Sequence, residues 1–273
     1  MPPGIKKPKE DKLTGELRRS QILTSYGSGA LADFPRLSGI MAGLDEWRVI
    51  SLPEAAKIHE KNLEAMLGKE YFYQVSSPDT DLKKTFALPI FRFPSWYYCP
   101  ECHKLDRYTK ISKPITGNTS EYNSDLFCNE CSDSKHRVKL IPSRFVVACL
   151  NGHIDDFPYV WWTHRNSEDG ICDKPRLRLD YKGTTGGLDS IRIKCETCGA
   201  ETTMAGCMDK EALKGIKCHG TQPWLGFGKD GKWYKDPVDC NATLRVLQRS
   251  ANNVYYSVNK SALTIPPWSE KLH

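Results

Sequence analysis

The clearest helical period lies in residues 53–67. Ser51 offers a cap, Pro53 suits a first turn, Gly68 suits the stop, and Ala56, Leu63 and Leu67 share a stripe with Leu52 one turn before. This predicts a helix with one face on the body. Elsewhere the period is two or absent. Residues 177–181 (LRLDY) and 190–194 (SIRIK) alternate as half-buried strands do, with a glycine-rich turn at 183–187 between them. Residues 244–249 and 254–258 read as two more strands, and residues 145–150 form a β-rich apolar run. Residues 157–164 look helix-like, while 17–31 read as a short helix or strand followed by a glycine turn. The polar stretches 74–84 and 111–127 read as a loop and an exposed excursion. The pattern predicts an α+β protein with short strands, long loops and few helices.

Composition narrows the setting. The chain has 273 residues, 39% of them hydrophobic, enough for one large domain or two smaller ones. Lys and Arg number 39 against 33 Asp and Glu, a net charge of +6, compatible with a nucleic-acid partner without requiring one. Residues 1–16 are Lys/Pro-rich and are expected to be a disordered basic arm, more readily solvated than bound to phosphates. No apolar run of membrane-spanning length occurs, and the charged N-terminus lacks the apolar core of a signal peptide. A cytoplasmic location is therefore expected, where eleven cysteines would be thiols or metal ligands.

The cysteine spacing is the most specific chemistry in the chain. Cys99-x-x-Cys102 and Cys128-x-x-Cys131, 25 residues apart, can close a tetrahedral four-cysteine Zn2+ site; two disulfides or four unrelated thiols are the plain alternative. His103 follows the first pair where a relaxed backbone is needed, which His tolerates better than most residues. The aromatic approach 96–98 would shield this knuckle, or less readily stack on bases. A second pair, Cys195-x-x-Cys198, runs into Gly199 and needs two further ligands. Cys218 and Cys240, in polar turn-rich sequence, are the expected ones, with Cys207 and His219 as competitors. Cys149, His153, His164 and Cys172 then form a third candidate set with two Cys and two His ligands. The alternative for Cys149 is a small buried apolar residue, with His153 orienting the following loop by a hydrogen bond.

Only the loop at 149–158 resembles an active site. His153 beside Asp155 and Asp156 could serve general-base or metal-dependent hydrolase chemistry, yet the two carboxylates equally suit the start of the following helix. No Ser or Cys nucleophile with an assigned base stands out. Gly27-Ser28-Gly29 lacks the rest of a phosphate-binding loop and reads as a turn.

Longer motifs carry a family resemblance: RRSQ at 18–21 with GSGA at 27–30, WYYCP at 96–100, PSRFVVAC at 142–149 followed by GHIDDFP at 152–158, LRVLQR at 244–249, and IPPW at 265–268. Across about residues 17–268 the chain resembles the DrmB family of the DISARM anti-phage defence system. The resemblance implies a non-catalytic subunit that partners a DrmA-like helicase-type ATPase to engage DNA. Family members typically continue beyond the IPPW motif, so the chain is expected to be a short, split or truncated member. The organisation expected is an arm (1–16), an N-terminal α/β part (17–95), a first four-cysteine zinc module (96–148) and a second zinc-bearing β-rich part (149–273). Phosphate contacts would come from Lys135, Arg137, Lys139 and Arg144, with Arg245, Arg249 and Lys260, the last three in a stretch free of acids from 240 to 260. Two other readings stand beside this one: a structural adaptor that never touches DNA, and the His153/Asp155/Asp156 hydrolase.

Overall fold

The computed structural model describes residues 17–34, 37–47, 57–73, 88–113, 125–182, 186–226, 238–251 and 254–263. The predicted basic arm, the 74–84 loop and the IPPW motif lie outside them.

Helix α1 (Arg19–Thr24) leads through the Gly27–Gly29 turn into the hairpin β1 (Leu31–Phe34) and β2 (Leu37–Met41). The turn is held internally, with Gly29 N–H donating to Met41 O (2.9 Å) and Ser28 Oγ to Ala42 O (3.0 Å). A small unit follows of β3 (Lys57–Ile58), α2 (Lys61–Leu67) and β4 (Phe72–Tyr73), after which β5 (Ile90–Arg92) pairs with β2. Then come β6 (Trp96–Tyr98), β7 (Lys104–Arg107), α3 (Tyr108–Ile111), β8 (Ser112–Lys113), β9 (Phe127–Cys128) and β10 (Ile141–Pro142). The chain continues with β11 (Phe145–Cys149), β12 (Ile154–Asp156), α4 (Tyr159–His164), β13 (Leu177–Tyr181), β14 (Ile191–Cys195), β15 (Glu201–Thr203) and β16 (Leu244–Gln248). The protein is thus mostly strands and loops, with four short helices among the described residues.

Two sheets place everything else. The larger is antiparallel in the order β10-β6-β7-β13-β14-β15 and takes strands from both sides of residue 148. Leu177 and Leu179 are buried on β13 opposite Cys195 and Ile193 of β14, while Arg178, Asp180, Arg192 and Lys194 point away. That is the alternation read from 177–181 and 190–194. The smaller sheet has the order β12-β11-β16, and its central strand is buried on both faces. Phe145, Val147 and Cys149 enter the main core with Phe157, Tyr159 and Trp162, whereas Val146 enters a second core with Ile40, Phe93 and Ile154. A strand covered on both sides reads as a continuous apolar run, as 145–150 does.

Three expectations need correction. The helix expected over 53–67 is Lys61–Leu67: residues 57–58 are extended against Phe72 and Tyr73, and residues 53–56 are outside the described set. Glu60 caps it by accepting from Asn62 N–H (3.2 Å), and Gly68, at φ 61°, ends it. None of its residues is buried, so the apolar stripe meets no core. Residues 254–258 are not a strand. Val254 and Tyr255 pack on the cores beside the β1–β2 hairpin without strand pairing, Ser257 Oγ donates to Thr24 O of α1 (2.9 Å), and Tyr256 and Val258 stay exposed. The excursion expected over 111–127 is structured at both ends, where β8 and β9 pair, and Ile111 is buried; residues 114–124 are outside the described set.

The densest packing is the aromatic group on Phe157, whose ring centroid lies 4.8 Å from Tyr159, 5.7 Å from Trp162 and 6.1 Å from Phe145. Phe157 is fully buried, so Phe157→Ala is expected to cost about 3–5 kcal/mol in chemical denaturation. Leu150→Ala, at a side chain 98% exposed a few residues away, should change stability by less than about 0.5 kcal/mol.

Candidate metal centres

Three groups of four ligand atoms occur among the described residues, each with all its atoms within 4.8 Å of one another: Cys99/Cys102/Cys128/Cys131, Cys149/His153/Cys218/Cys240 and His164/Cys172/Cys195/Cys198. They use ten of the eleven cysteines.

The first is built by two tight turns that face each other. Cys99 follows β6, and its N–H donates to Lys104 O (3.0 Å) while His103 N–H donates back to Cys99 O (2.9 Å). His103 takes φ 62°, the relaxed conformation read from its position. The second turn follows β9, closed by Ser132 N–H to Cys128 O (3.2 Å) and by Cys128 N–H to Val138 O (2.9 Å). Sγ of Cys99 lies 3.7 Å from that of Cys131, and Sγ of Cys102 lies 3.8 Å from that of Cys128. A tetrahedron with metal–sulfur bonds of ~2.3 Å has edges of ~3.8 Å, so four thiolates here fit one ion.

The second group joins the β11–β12 turn to two distant loops. Gly152 makes that turn at φ 83°, and Cys149 N–H donates to His153 O (3.0 Å), which aims both side chains one way. Register then brings Cys240 in, because β16 pairs Leu244 with Cys149 and Cys240 precedes it by four residues. Cys218 is carried by a segment tied on both sides, through the Lys217–Thr243 bridge and Ile154 N–H to Thr221 O (3.3 Å). Gly220, at φ 65°, lets this segment close. A Cβ there would meet Val238 O at 1.6 Å, so no other residue fits. His153 Nδ1 lies 3.5 Å from Cys149 Sγ and 3.7 Å from Cys218 Sγ, close to the ~3.6 Å edge expected for mixed N and S ligands. All four residues are buried.

The third group pins α4 to the large sheet. Trp162 Nε1–H donates to Thr203 O (3.0 Å), setting α4 against β15 with His164 at its last turn. His164 Nδ1–H donates to Val160 O (2.7 Å), which leaves Nε2 bare as a ligand atom, 3.2 Å from Cys198 Sγ and 3.6 Å from Cys172 Sγ. Thr197 Oγ1 donates to Lys174 O (2.7 Å), tying the Cys195 knuckle to the segment that carries Cys172, and the Cys172 and Cys195 sulfurs are 3.7 Å apart.

The local fields favour thiolate at one or more cysteines of each group. Burial raises the Cys195 pKa, but the Cys198 and Thr197 N–H groups outweigh it and hold it at about 6. Ala242 N–H does the same for Cys240, against burial and with help from the Asn151 amide (3.3 Å), again giving about 6. Cys128 is likewise lowered, its N–H donors prevailing over burial. Thiolate is the form that binds metal.

The grouping corrects the sequence pairing. Cys195 and Cys198 are not brought to Cys218 and Cys240, and Cys149 and His153 are not brought to His164 and Cys172. Spacing supplies the doublets. Which doublets meet is set by the sheets, since Cys240 follows β16 to β11 while His164 follows α4 to β14 and β15. His219 faces Asp155 (Nδ1 to Oδ2, 3.3 Å) and belongs to no group; Cys207 is fully buried, its thiol pushed up to about 11 by burial.

The His153/Asp155/Asp156 trio does not converge. His153 lies in the second group, Asp155 faces His219, and Asp156 accepts from both Ser95 N–H (2.7 Å) and Ser95 Oγ–H. Neither carboxylate caps α4, which begins after Pro158 without a side-chain cap. Of the seven basic residues singled out, five are engaged within the chain. Arg137 lies over Phe127 and Arg144 donates to Gln248; Lys139 pairs with Asp125, Arg245 donates to Lys210 O and Arg249 pairs with Asp33. Lys135 and Lys260 are exposed.

Comparison with known proteins adds two findings. The family model for a domain of unknown function, DUF8724, matches residues 18–256. The chain is also 33% identical over 216 residues to the DISARM protein DrmB of Bacillus paralicheniformis (strain ATCC 9945a / NCIMB 11709 / CD-2), an alignment covering 77% of this chain. It spans 33% of that relative's length.

Two measurements check this site. Cys218→Ser is expected to make Cys149 and Cys240 reactive to alkylation while Cys195 and Cys198 stay protected, as mapped by peptide mass spectrometry; exposure of Cys195 and Cys198 instead would restore the sequence pairing. The second concerns Asp156, whose pKa is raised to about 6 by burial first and the Asp155 charge second. Raised in the folded state above its unfolded value, this carboxyl favours folding at low pH, and the benefit is lost as pH rises from about 4 through about 6. Asp156→Asn, which can keep both Ser95 bonds, should therefore lose ground against the parent protein as the pH of denaturation is lowered from about 7 to about 5.

Proposed function

We propose that this chain, which belongs to the DUF8724 family, is a zinc-clamped, non-catalytic subunit of a DISARM-type anti-phage complex. In this reading it engages DNA through phosphates beside a helicase-type ATPase. The observation that carries the reading is the 33% identity over 216 residues to a DISARM protein. Zinc is the ion proposed, since thiolate and imidazole in sets of four suit it, and such closed sets support folding without leaving a position for substrate. This supports a non-catalytic role, as does the dispersal of His153, Asp155 and Asp156 into structural contacts. No helix among the described residues is long and apolar enough to cross a membrane, and the proposed location is the cytoplasm.

The adaptor reading, without DNA contact, is favoured by one observation: five of the seven candidate cations already have partners within the chain. An intramolecular partner weakens a phosphate contact without forbidding it.

Salt separates the two. If about four phosphates are contacted, log affinity for duplex DNA falls with log salt at a slope of about −3.6, an approximately 100-fold loss between 50 and 200 mM. A binding isotherm with that dependence supports DNA engagement. The absence of binding by the metal-loaded protein at low salt would leave the adaptor reading standing.

A further inference from the structure

A cavity of about 190 Å³ opens where the β1–β2 hairpin, the first metal module and the segment after β16 meet. Its apolar lining comes from Phe34, Leu37, Leu126, Leu140 and Pro142. Its polar groups are Asp33, Ser38, Arg92, Tyr97, Lys139 and Arg249; Asp33 faces Arg249, and Lys139 is paired with Asp125 just outside the lining, so three cations stand against two carboxylates. The space far exceeds the ~10–15 Å³ needed by a single water.

Arg249 is the telling residue. Its side chain is only 17% exposed, and neither Nε nor Nη1 has a hydrogen-bond acceptor among the described residues. Nη1 lies 3.2 Å from Asp33 Oδ1, which neutralises charge without hydrogen-bonding alignment, and Asp33 Oδ2 already accepts from Ser250 Oγ (2.9 Å). Shielded N–H groups of a guanidinium left without an acceptor are destabilising, a penalty that a bound acceptor would remove. Tyr97 stands opposite on β6. Its phenol oxygen accepts from Arg92 Nη1 (3.2 Å). Arg92 and Arg249 line the same cavity as this phenol, with the Lys139 ammonium at the exposed rim.

We propose that this cavity binds a phosphate group. Cations arriving from β5, from the segment before β10 and from the end of β16 can each meet a different oxygen of a tetrahedral anion, whereas a planar carboxylate would satisfy one fork. The apolar lining strengthens such contacts by lowering the local dielectric. The assignment deepens the DNA reading, since Lys139 and Arg249 are also candidate DNA contacts, but inorganic phosphate tests the cavity without nucleic acid, so the two can fail separately.

The test uses the metal-loaded 273-residue chain with inorganic phosphate, at ionic strength held constant with chloride. The parent protein should show saturable binding by calorimetry and a matching rise in melting temperature. Arg249→Gln should weaken it about tenfold or more, and Lys139→Gln, at the rim and away from the buried frame, should weaken it to a lesser degree. If Arg249→Gln misfolds, Lys139→Gln and Arg249→Lys, which keeps the charge but loses the fork, still decide the matter. A single-stranded oligonucleotide that displaces the phosphate identifies a nucleic-acid source, and phosphate binding unaffected by saturating oligonucleotide identifies a free one; either supports the site. No saturable binding to the parent protein, or equal binding by parent and variants, overturns it.

Discussion

The structure depends on tetrahedral ligand groups placed at strand ends. β6, β9, β11 and β14 each deliver a cysteine at or near their last residue, and each is followed by a turn that returns a second ligand. In the second group, loops separated from β11 by about 70 and 90 residues are drawn to its end. Closing such loops is entropically costly. An ion bound at each group would supply that free energy locally, on the order of 10 kcal/mol in small zinc modules. The two sheets can therefore remain small, with the apolar core concentrated on Phe157 and its neighbours.

This arrangement explains why the candidate active site dissolves on inspection. A histidine four residues after a cysteine, followed by two carboxylates, has the composition of a catalytic loop. In the folded chain the histidine holds a loop, one carboxylate faces His219, and the other anchors Ser95 beneath the large sheet. These residues do not converge on one site, and the polar cavity lies elsewhere, between the hairpin and the first metal module.

Much of this was legible in the sequence where the signal is local. The Cys99/Cys102/Cys128/Cys131 group follows from spacing, His103 at positive φ from its place after the knuckle, and β13 and β14 from alternation. What escaped is non-local. Four ligand doublets can be partnered in several ways, and the choice follows from β16 pairing with β11 and α4 packing on β15, neither of which spacing encodes. Residues 254–258 pair with no strand among the described residues, and none of the α2 residues, Leu63 and Leu67 included, is buried. Arg249 was singled out for its charge. That Arg92 and Tyr97 share a cavity with it depends on three segments far apart in the chain.

The central claim is that three separate four-ligand groups each hold one ion. Native mass spectrometry of the purified protein, with elemental analysis of the same sample, tests it most directly. The account predicts three zinc ions per chain. Two ions, or a folded chain with none, would contradict it.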